Sequence, residues 1–169
     1  MKFVKVIERL SEAGGMISGL CILLMSGLIL LEILVRSVTR ASILIAEEYS
    51  AYLLVVFGSM ALAYTFKSEG HIRVDLILSK LSPRGRSLVN FFCSLIGFLV
   101  FLLVSYQTWG QFSGSWTSRE TSMYYSKTPL WLPQVFLFLG PLLMALQMLS
   151  SVIVQYRSLK RRGEEGSGR

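Results

Sequence analysis

Few side chains in this sequence place a reactive group in apolar surroundings, and each allows only limited chemistry. Glu32 stands near the end of a long apolar stretch. A carboxylate there is a candidate proton or cation site, because ionisable groups in hydrocarbon are costly and often functional. Arg36 follows one turn later, and that i, i+4 spacing equally suits a helical ion pair at the membrane interface. Glu47 and Glu48 open the next apolar stretch. The helix dipole and free N–H groups account for one acid at a helix N-terminus. A pair exceeds what capping needs, which makes both residues candidates for contact with a partner. His71 and Asp75 lie four apart in the segment Glu69-Gly70-His71-Ile72-Arg73-Val74-Asp75. Two ligands without a third make a poor metal site. The polar alternation at 69, 71, 73 and 75 reads better as an interfacial turn, with His71, Arg73 and Asp75 as structural or partner-contact residues. Cys21 and Cys93 sit inside apolar stretches, far from any C-x-x-C spacing, and read as small hydrophobes. The sequence offers no nucleophile paired with a base, no phosphate-binding glycine loop and no cluster of metal ligands. Neither an enzymatic activity nor a cofactor or metal is expected, and one histidine excludes haem held between two histidines of this chain.

The elements that must carry these residues follow from hydropathy. The chain has 169 residues, 53% of them hydrophobic and only 16% charged, against about 25% charged in a typical soluble domain. The mean hydropathy is +0.57. Charges collect in short segments between long apolar runs, which is the pattern lipid imposes as a solvent. A membrane-crossing helix needs roughly 20 apolar residues. Four stretches meet this, at about 14–35, 49–66, 87–109 and 130–156. The third and fourth contain no charge. The first is too long for a cleaved signal peptide and lacks a small-residue cleavage site. Trp109, Trp131, Tyr49, Tyr52, Tyr106 and Tyr156 fall near span ends, where amphipathic rings favour the headgroup level. The expected architecture is a single all-α membrane domain over 1–169 with four transmembrane helices. Ahead of the first span, Phe3, Ile7 and Leu10 recur at i, i+4 and i+7 among charged residues. Residues 1–13 therefore predict a short amphipathic helix, either lying on the membrane surface or leading into the first span. Residues 157–169 form a polar, glycine-containing tail expected to be partly disordered.

Orientation follows from the basic residues. Lys2, Lys5 and Arg9 precede the first span; Lys67, Arg73, Lys80, Arg84 and Arg86 lie between the second and third; Arg157, Lys160, Arg161, Arg162 and Arg169 follow the fourth. These thirteen residues fall on one side of the membrane. The other side carries only four, Arg36, Arg40, Arg119 and Lys127. Basic residues are retained in the cytoplasm, so both termini are expected inside. The net charge of +7 reflects this anchoring and contact with anionic lipid of the bilayer, not nucleic-acid binding.

Within the spans, Gly15 with Gly19, and Ser59 with Ala63, are small pairs at the four-residue spacing that lets helix backbones approach in lipid. Pro141 lies inside the fourth span, where it removes a helical hydrogen bond and is expected to kink the helix. Two charge-free spans argue against a substrate path through this chain and for a helper subunit packed on a larger protein. Two other classes stay open. A self-sufficient proton-coupled transporter would use Glu32 as its carrier. A quinone-linked redox subunit would hold a chromophore.

The stretch over 46–76, AEEYSAYLLVVFGSMALAYTFKSEGHIRVDL, resembles the small membrane subunit of tripartite ATP-independent periplasmic (TRAP) transporters. The acidic pair Glu47-Glu48 is followed by Gly58, Ala61 and Ala63, then by a Gly-His-Ile-x-Val-Asp signature at Gly70, His71, Ile72, Val74 and Asp75. The final span, PLWLPQVFLFLGPLLMALQML, is similar to the family's proline-containing last helix. The usual tryptophan before the acidic pair is replaced by Leu44 and Ile45, and the usual Pro-Leu-Gly order reads Leu139-Gly140-Pro141. The resemblance implies a cell inner membrane protein, one subunit of a sodium-driven importer of a small organic acid. A periplasmic solute-binding protein captures the substrate, and a large transmembrane transport subunit moves it by an elevator-like motion. The small subunit is a static scaffold that helps dock the binding protein. On that resemblance Glu47, Glu48, Gly58, His71, Arg73, Asp75 and Pro141 hold interfaces or helix geometry and perform no chemistry.

Overall fold

The computed structural model describes residues 2–40, 44–68, 83–124 and 126–167. They form four α-helices: α1 (Lys2–Thr39), α2 (Leu44–Lys67), α3 (Pro83–Ser118) and α4 (Trp131–Ser167). Each is long and apolar enough to cross a membrane, and the described residues contain no strand. The helices run beyond the apolar cores expected from hydropathy. At about 1.5 Å per residue, the 38 residues of α1 exceed a hydrocarbon core of about 30 Å by most of its width again. Hydropathy marks the part of a helix that prefers lipid. The polar residues at its ends keep it helical where the hydrocarbon stops.

Residues 2–13 are the first turns of α1 and not a separate helix. Ile7 and Ser11 are buried there, whereas Leu10, expected on the apolar face, is half exposed. The last turns of α4 take in the polar tail expected to be partly disordered, with helix through Ser167. At the other end α3 continues through 110–118, a segment whose Gly, Gln and Ser content reads as loop. Aromatic rings stabilise this extension. Trp109, Phe112 and Trp116 lie along one side of α3 with ring centroids 5.6 and 6.1 Å apart in sequence. Trp109 also meets Phe138 of α4 at 5.1 Å, and Trp116 meets Trp131 edge-on at 4.9 Å. Such pairs contribute about 0.5–1.5 kcal/mol each beyond their buried area.

The helices pack in the spatial order α1, α2, α4, α3, with a smaller contact between α1 and α4. Side-chain pairs fix their directions. Ser18 of α1 donates to the Phe57 carbonyl of α2 at 2.7 Å, and Lys67 at the far end of α2 pairs with Glu12. In α3 and α4, Ser94 meets Ser151 while Trp116 meets Trp131. The α1–α2 and α3–α4 pairs are therefore antiparallel. The core is thin. Its buried apolar residues are mostly small or flexible (Cys21, Ala46, Met60, Ala63, Met144 and Ala145), and serines at 11, 18, 59, 94, 105 and 150 are buried among them. Large side chains point outward, including Leu23, Leu34, Phe92, Ile96 and Leu103. This distribution suits lipid, where leucine gains nothing from being inside and small residues allow close helix contact.

Glycines mark the tightest approaches. A Cβ on Gly14 would touch the Met60 carbonyl at 3.0 Å, and one on Gly15 would enter the Tyr64 ring. One on Gly140 would overlap the backbone carbonyl of Ser59. Ser59 and Ala63 are thus buried in helix contacts, whereas Gly19, the second member of the expected glycine pair, faces open space. Cys21 is buried and Cys93 exposed on α3. Pro141 is buried beside Gly140, and α4 stays helical across it.

These contacts generate a stability prediction. Gly140→Ala forces α4 away from α2 and is expected to cost about 1–3 kcal/mol. Gly110→Ala, in open space on α3, is expected to be neutral or slightly stabilising. Thermal unfolding in detergent should show a lowered midpoint for the first variant alone.

Candidate functional site: a split acidic pair and a clasped loop

Successive residues on a helix point about 100° apart, so Glu47 and Glu48 cannot share one environment. The structure separates them fully. Glu48 is 3% exposed. Its carboxylate accepts hydrogen bonds from Tyr52, one turn along α2 at 2.7 Å, and from Ser126 in the loop between α3 and α4. The Ser126 hydroxyl also meets that of Thr128 at 2.7 Å, and Thr128 donates to the Tyr49 hydroxyl at 3.3 Å. Tyr49 and Tyr52 pack edge to face, with centroids 5.9 Å apart. Glu48 thus fastens the loop to the start of α2. Its partners in these bonds are hydroxyls, and no described cation forms an ion pair with it. Hydrogen bonds from hydroxyls to a charged carboxylate stabilise it where water is largely excluded.

The loop has local order of its own. Thr121 and Pro129 form an antiparallel bridge; Ser122 N–H donates to the Thr128 carbonyl at 2.9 Å, and Leu130 N–H to the Glu120 carbonyl at 3.1 Å. Arg119 ends α3 in the left-handed region at φ 49°, which lets Glu120 N–H reach back to the Ser115 carbonyl at 3.2 Å. Lys127, at φ 47°, closes the tip with a bond from its N–H to the Tyr124 carbonyl at 3.1 Å. The tip presents exposed Met123 and Tyr124. Beneath the loop, Trp116, Arg119, Thr121, Pro129 and Trp131 line an open cleft of about 400 Å³.

Glu47 faces the other way. It is exposed, and it lines a second open cleft of about 410 Å³ with Ile29, Glu32, Arg36, Ala46 and Ser50, between α1 and α2. Glu32 is held by Arg36 through two hydrogen bonds, of 2.6 and 3.2 Å. The arginine side chain is 60% exposed and the glutamate 14%. The i, i+4 ion pair expected from sequence is therefore present, and Glu32, about two turns before the end of α1, has its charge offset. Glu47 has neither a hydrogen bond nor an ion pair to a described side chain.

Of the remaining sequence candidates, Gly58 lies exposed on α2 with nothing near the position of a Cβ. His71, Arg73 and Asp75 lie outside the described residues. Among the described residues, no group of three or more His, Cys, Asp or Glu is placed to hold a metal. Sequence reasoning missed the hydroxyl network on Glu48. The Glu48–Tyr52 spacing was readable, but Ser126 and Thr128 are nearly eighty residues away and give no local signal.

Removing the clasp acceptor has a defined consequence. Glu48→Ala strands the Tyr52 and Ser126 donors, costing about 1–3 kcal/mol for each group left unsatisfied. The Ser122 and Leu130 amides, which donate to the Thr128 and Glu120 carbonyls within the loop, should then exchange with deuterium at least about tenfold faster, as expected for a loop opened by more than about 1.4 kcal/mol. Glu47→Ala should leave the rate unchanged.

Comparison with known proteins places this geometry in a family. The family model described as "Tripartite ATP-independent periplasmic transporters, DctQ component" matches residues 25–158, which takes in both acids, the clasped loop, the second part of α1, all of α2 and α3 and most of α4. A protein of Haemophilus influenzae (strain Rd) named as a TRAP transporter small permease protein is 29% identical over 89 residues. That stretch covers 53% of this chain and only 55% of the relative. No solved structure matches the chain. The chain belongs to the DctQ family, the small permease component of the tripartite ATP-independent periplasmic transporters.

Proposed function

We propose that this chain is the static small subunit of a sodium-driven, binding-protein-dependent importer of a small organic acid. It sits in the inner membrane with both termini in the cytoplasm, beside a large transport subunit that carries the substrate. A periplasmic solute-binding protein docks transiently on the outer surface. The observation that carries this reading is the inverted distribution of side chains within an open four-helix layer. Small residues and serines make the internal contacts, large apolar residues face outward, and the acids within α1, Glu12 and Glu32, are each paired with a basic residue. A layer of this kind enlarges the lipid-anchored frame against which a moving transport domain can work, without adding a substrate path.

Three further observations support parts of the reading. The thirteen-to-four division of basic residues favours a cytoplasmic position for both ends. That orientation puts the Glu48 clasp and the Met123–Tyr124 loop tip on the periplasmic side, where a soluble partner would meet them. The Glu32–Arg36 pair leaves Glu32 poorly suited to carry protons alone, which weighs against a self-sufficient proton-coupled transporter.

Reconstitution in proteoliposomes tests the proposal. Uptake of an organic acid is expected only when the large subunit, this chain and the binding protein are all present with an inward sodium gradient. Robust uptake by this chain alone would reject the scaffold role. Uptake by the large subunit and binding protein at the full rate without this chain would also reject it. A reporter fused at either terminus should be protected from reagents applied at the periplasmic side.

A further inference from the structure

The exposed surfaces of the four helices differ in chemistry. The outer face of α3 carries Leu88, Phe92, Ile96, Leu99 and Leu103, all large and apolar. Lipid tails suit such a face. One face of α2 is different. Glu47, Ala51, Leu54 and Gly58, spaced i, i+4, i+7 and i+11, are exposed along one line, and nothing lies within 4 Å of a Cβ built on Gly58. The line begins in the cleft shared with Glu32 and Arg36. Among the described residues that line it, that cleft holds two carboxylates and one guanidinium, a net negative charge, and Glu47 is the acid with no described side chain to offset it. A carboxylate at the end of a hydrocarbon-spanning helix is stabilised by a cation, and a small-residue line beneath it admits a helix backbone at close range. The exposed glycines of α1 differ in setting. Gly19 stands among the outward side chains of Met16, Leu20 and Leu23, and the acid that heads its line, Glu12, is already paired with Lys67.

We propose that the α2 face formed by Glu47, Ala51, Leu54 and Gly58 is the surface on which a transmembrane helix of the large transport subunit packs, with a lysine or arginine of that helix entering the cleft to pair with Glu47. This rests on the subunit reading above and adds the face and the charge of the partner. It gives the two acids separate tasks. Glu48 holds this chain's own loop, and Glu47 is the attachment point for another chain.

Gly58→Leu isolates the claim, because the added side chain meets open space in this chain and leucine favours helix more than glycine does. The variant is expected to insert and to unfold at or above the wild-type temperature. Co-purification of the large subunit in mild detergent should fall about tenfold or more, the equivalent of about 1.4 kcal/mol or more of lost association. Glu47→Lys should produce a similar loss, and Gly110→Leu on α3 none. A photo-crosslinking residue at Leu54 should give an adduct with the large subunit, and one at Leu99 of α3 should not. Undiminished recovery with Gly58→Leu, or loss that follows Gly19→Leu or Gly27→Leu of α1 instead, would overturn the assigned face and leave the subunit reading intact. An adduct from Leu99 but not from Leu54 would do the same. Should the wild-type chain recover no larger polytopic protein, the subunit reading itself fails and this inference with it.

Discussion

Burial of apolar side chains gives little net stabilisation when the surrounding solvent is itself hydrocarbon. That constraint governs this chain. What remains to hold the helices together is close contact between backbones, dispersion between well-fitted surfaces and hydrogen bonds from short polar side chains. The Gly140–Ser59 approach joins α4 to α2, Gly14 against Met60 and Ser18 on the Phe57 carbonyl join α1 to α2, and Gly97 against Met148 joins α3 to α4. Each contact puts a small residue where a larger one would separate two helices. The helix order α1, α2, α4, α3 follows from where those residues sit. The outward leucines and phenylalanines are a consequence of the same rule.

The acidic pair shows how one helix end can serve two purposes. A carboxylate buried to 3% exposure is tolerable only when its oxygens accept hydrogen bonds, and Tyr52 and Ser126 donate one to each oxygen of Glu48. The result is a loop between α3 and α4 that is tied to α2, although α2 and α3 are not neighbours in the layer. The loop in turn needs two basic residues, Arg119 and Lys127, in the left-handed region, a conformation that costs side-chain-bearing residues some strain. The clasp and the Trp116–Trp131 contact hold that strain in place. Glu47, one residue earlier, lies outside this network and keeps its charge available.

Much of the fold was legible because lipid permits few solutions. Four apolar runs and the absence of charge in two of them were enough to expect four crossing helices, and the Glu32–Arg36 pair followed from i, i+4 spacing. The extension of α3 through Ser118 was not legible, since Gly110, Gln111, Ser113 and Gly114 read as loop while the aromatic contacts that hold them are made with α4. The glycine pair at 15 and 19 was half right for a similar reason. Spacing identifies a small face but not which glycine meets a neighbour, and it is Gly14 and Gly15 that do. For the candidate site, the sequence singled out Glu47 and Glu48, and helix spacing turns them to different sides, but it could not tell which would be buried. Their division depends on Ser126, which reaches Glu48 only through the packing of α2 against α4.

The central claim is that this chain is one subunit of a larger membrane assembly. Native mass spectrometry of the chain released from its own membranes in mild detergent tests this most directly. The account predicts a complex in which this 19.0 kDa chain travels with a much larger polytopic protein. A population consisting only of the single chain, or of copies of it bound to one another, would contradict the account.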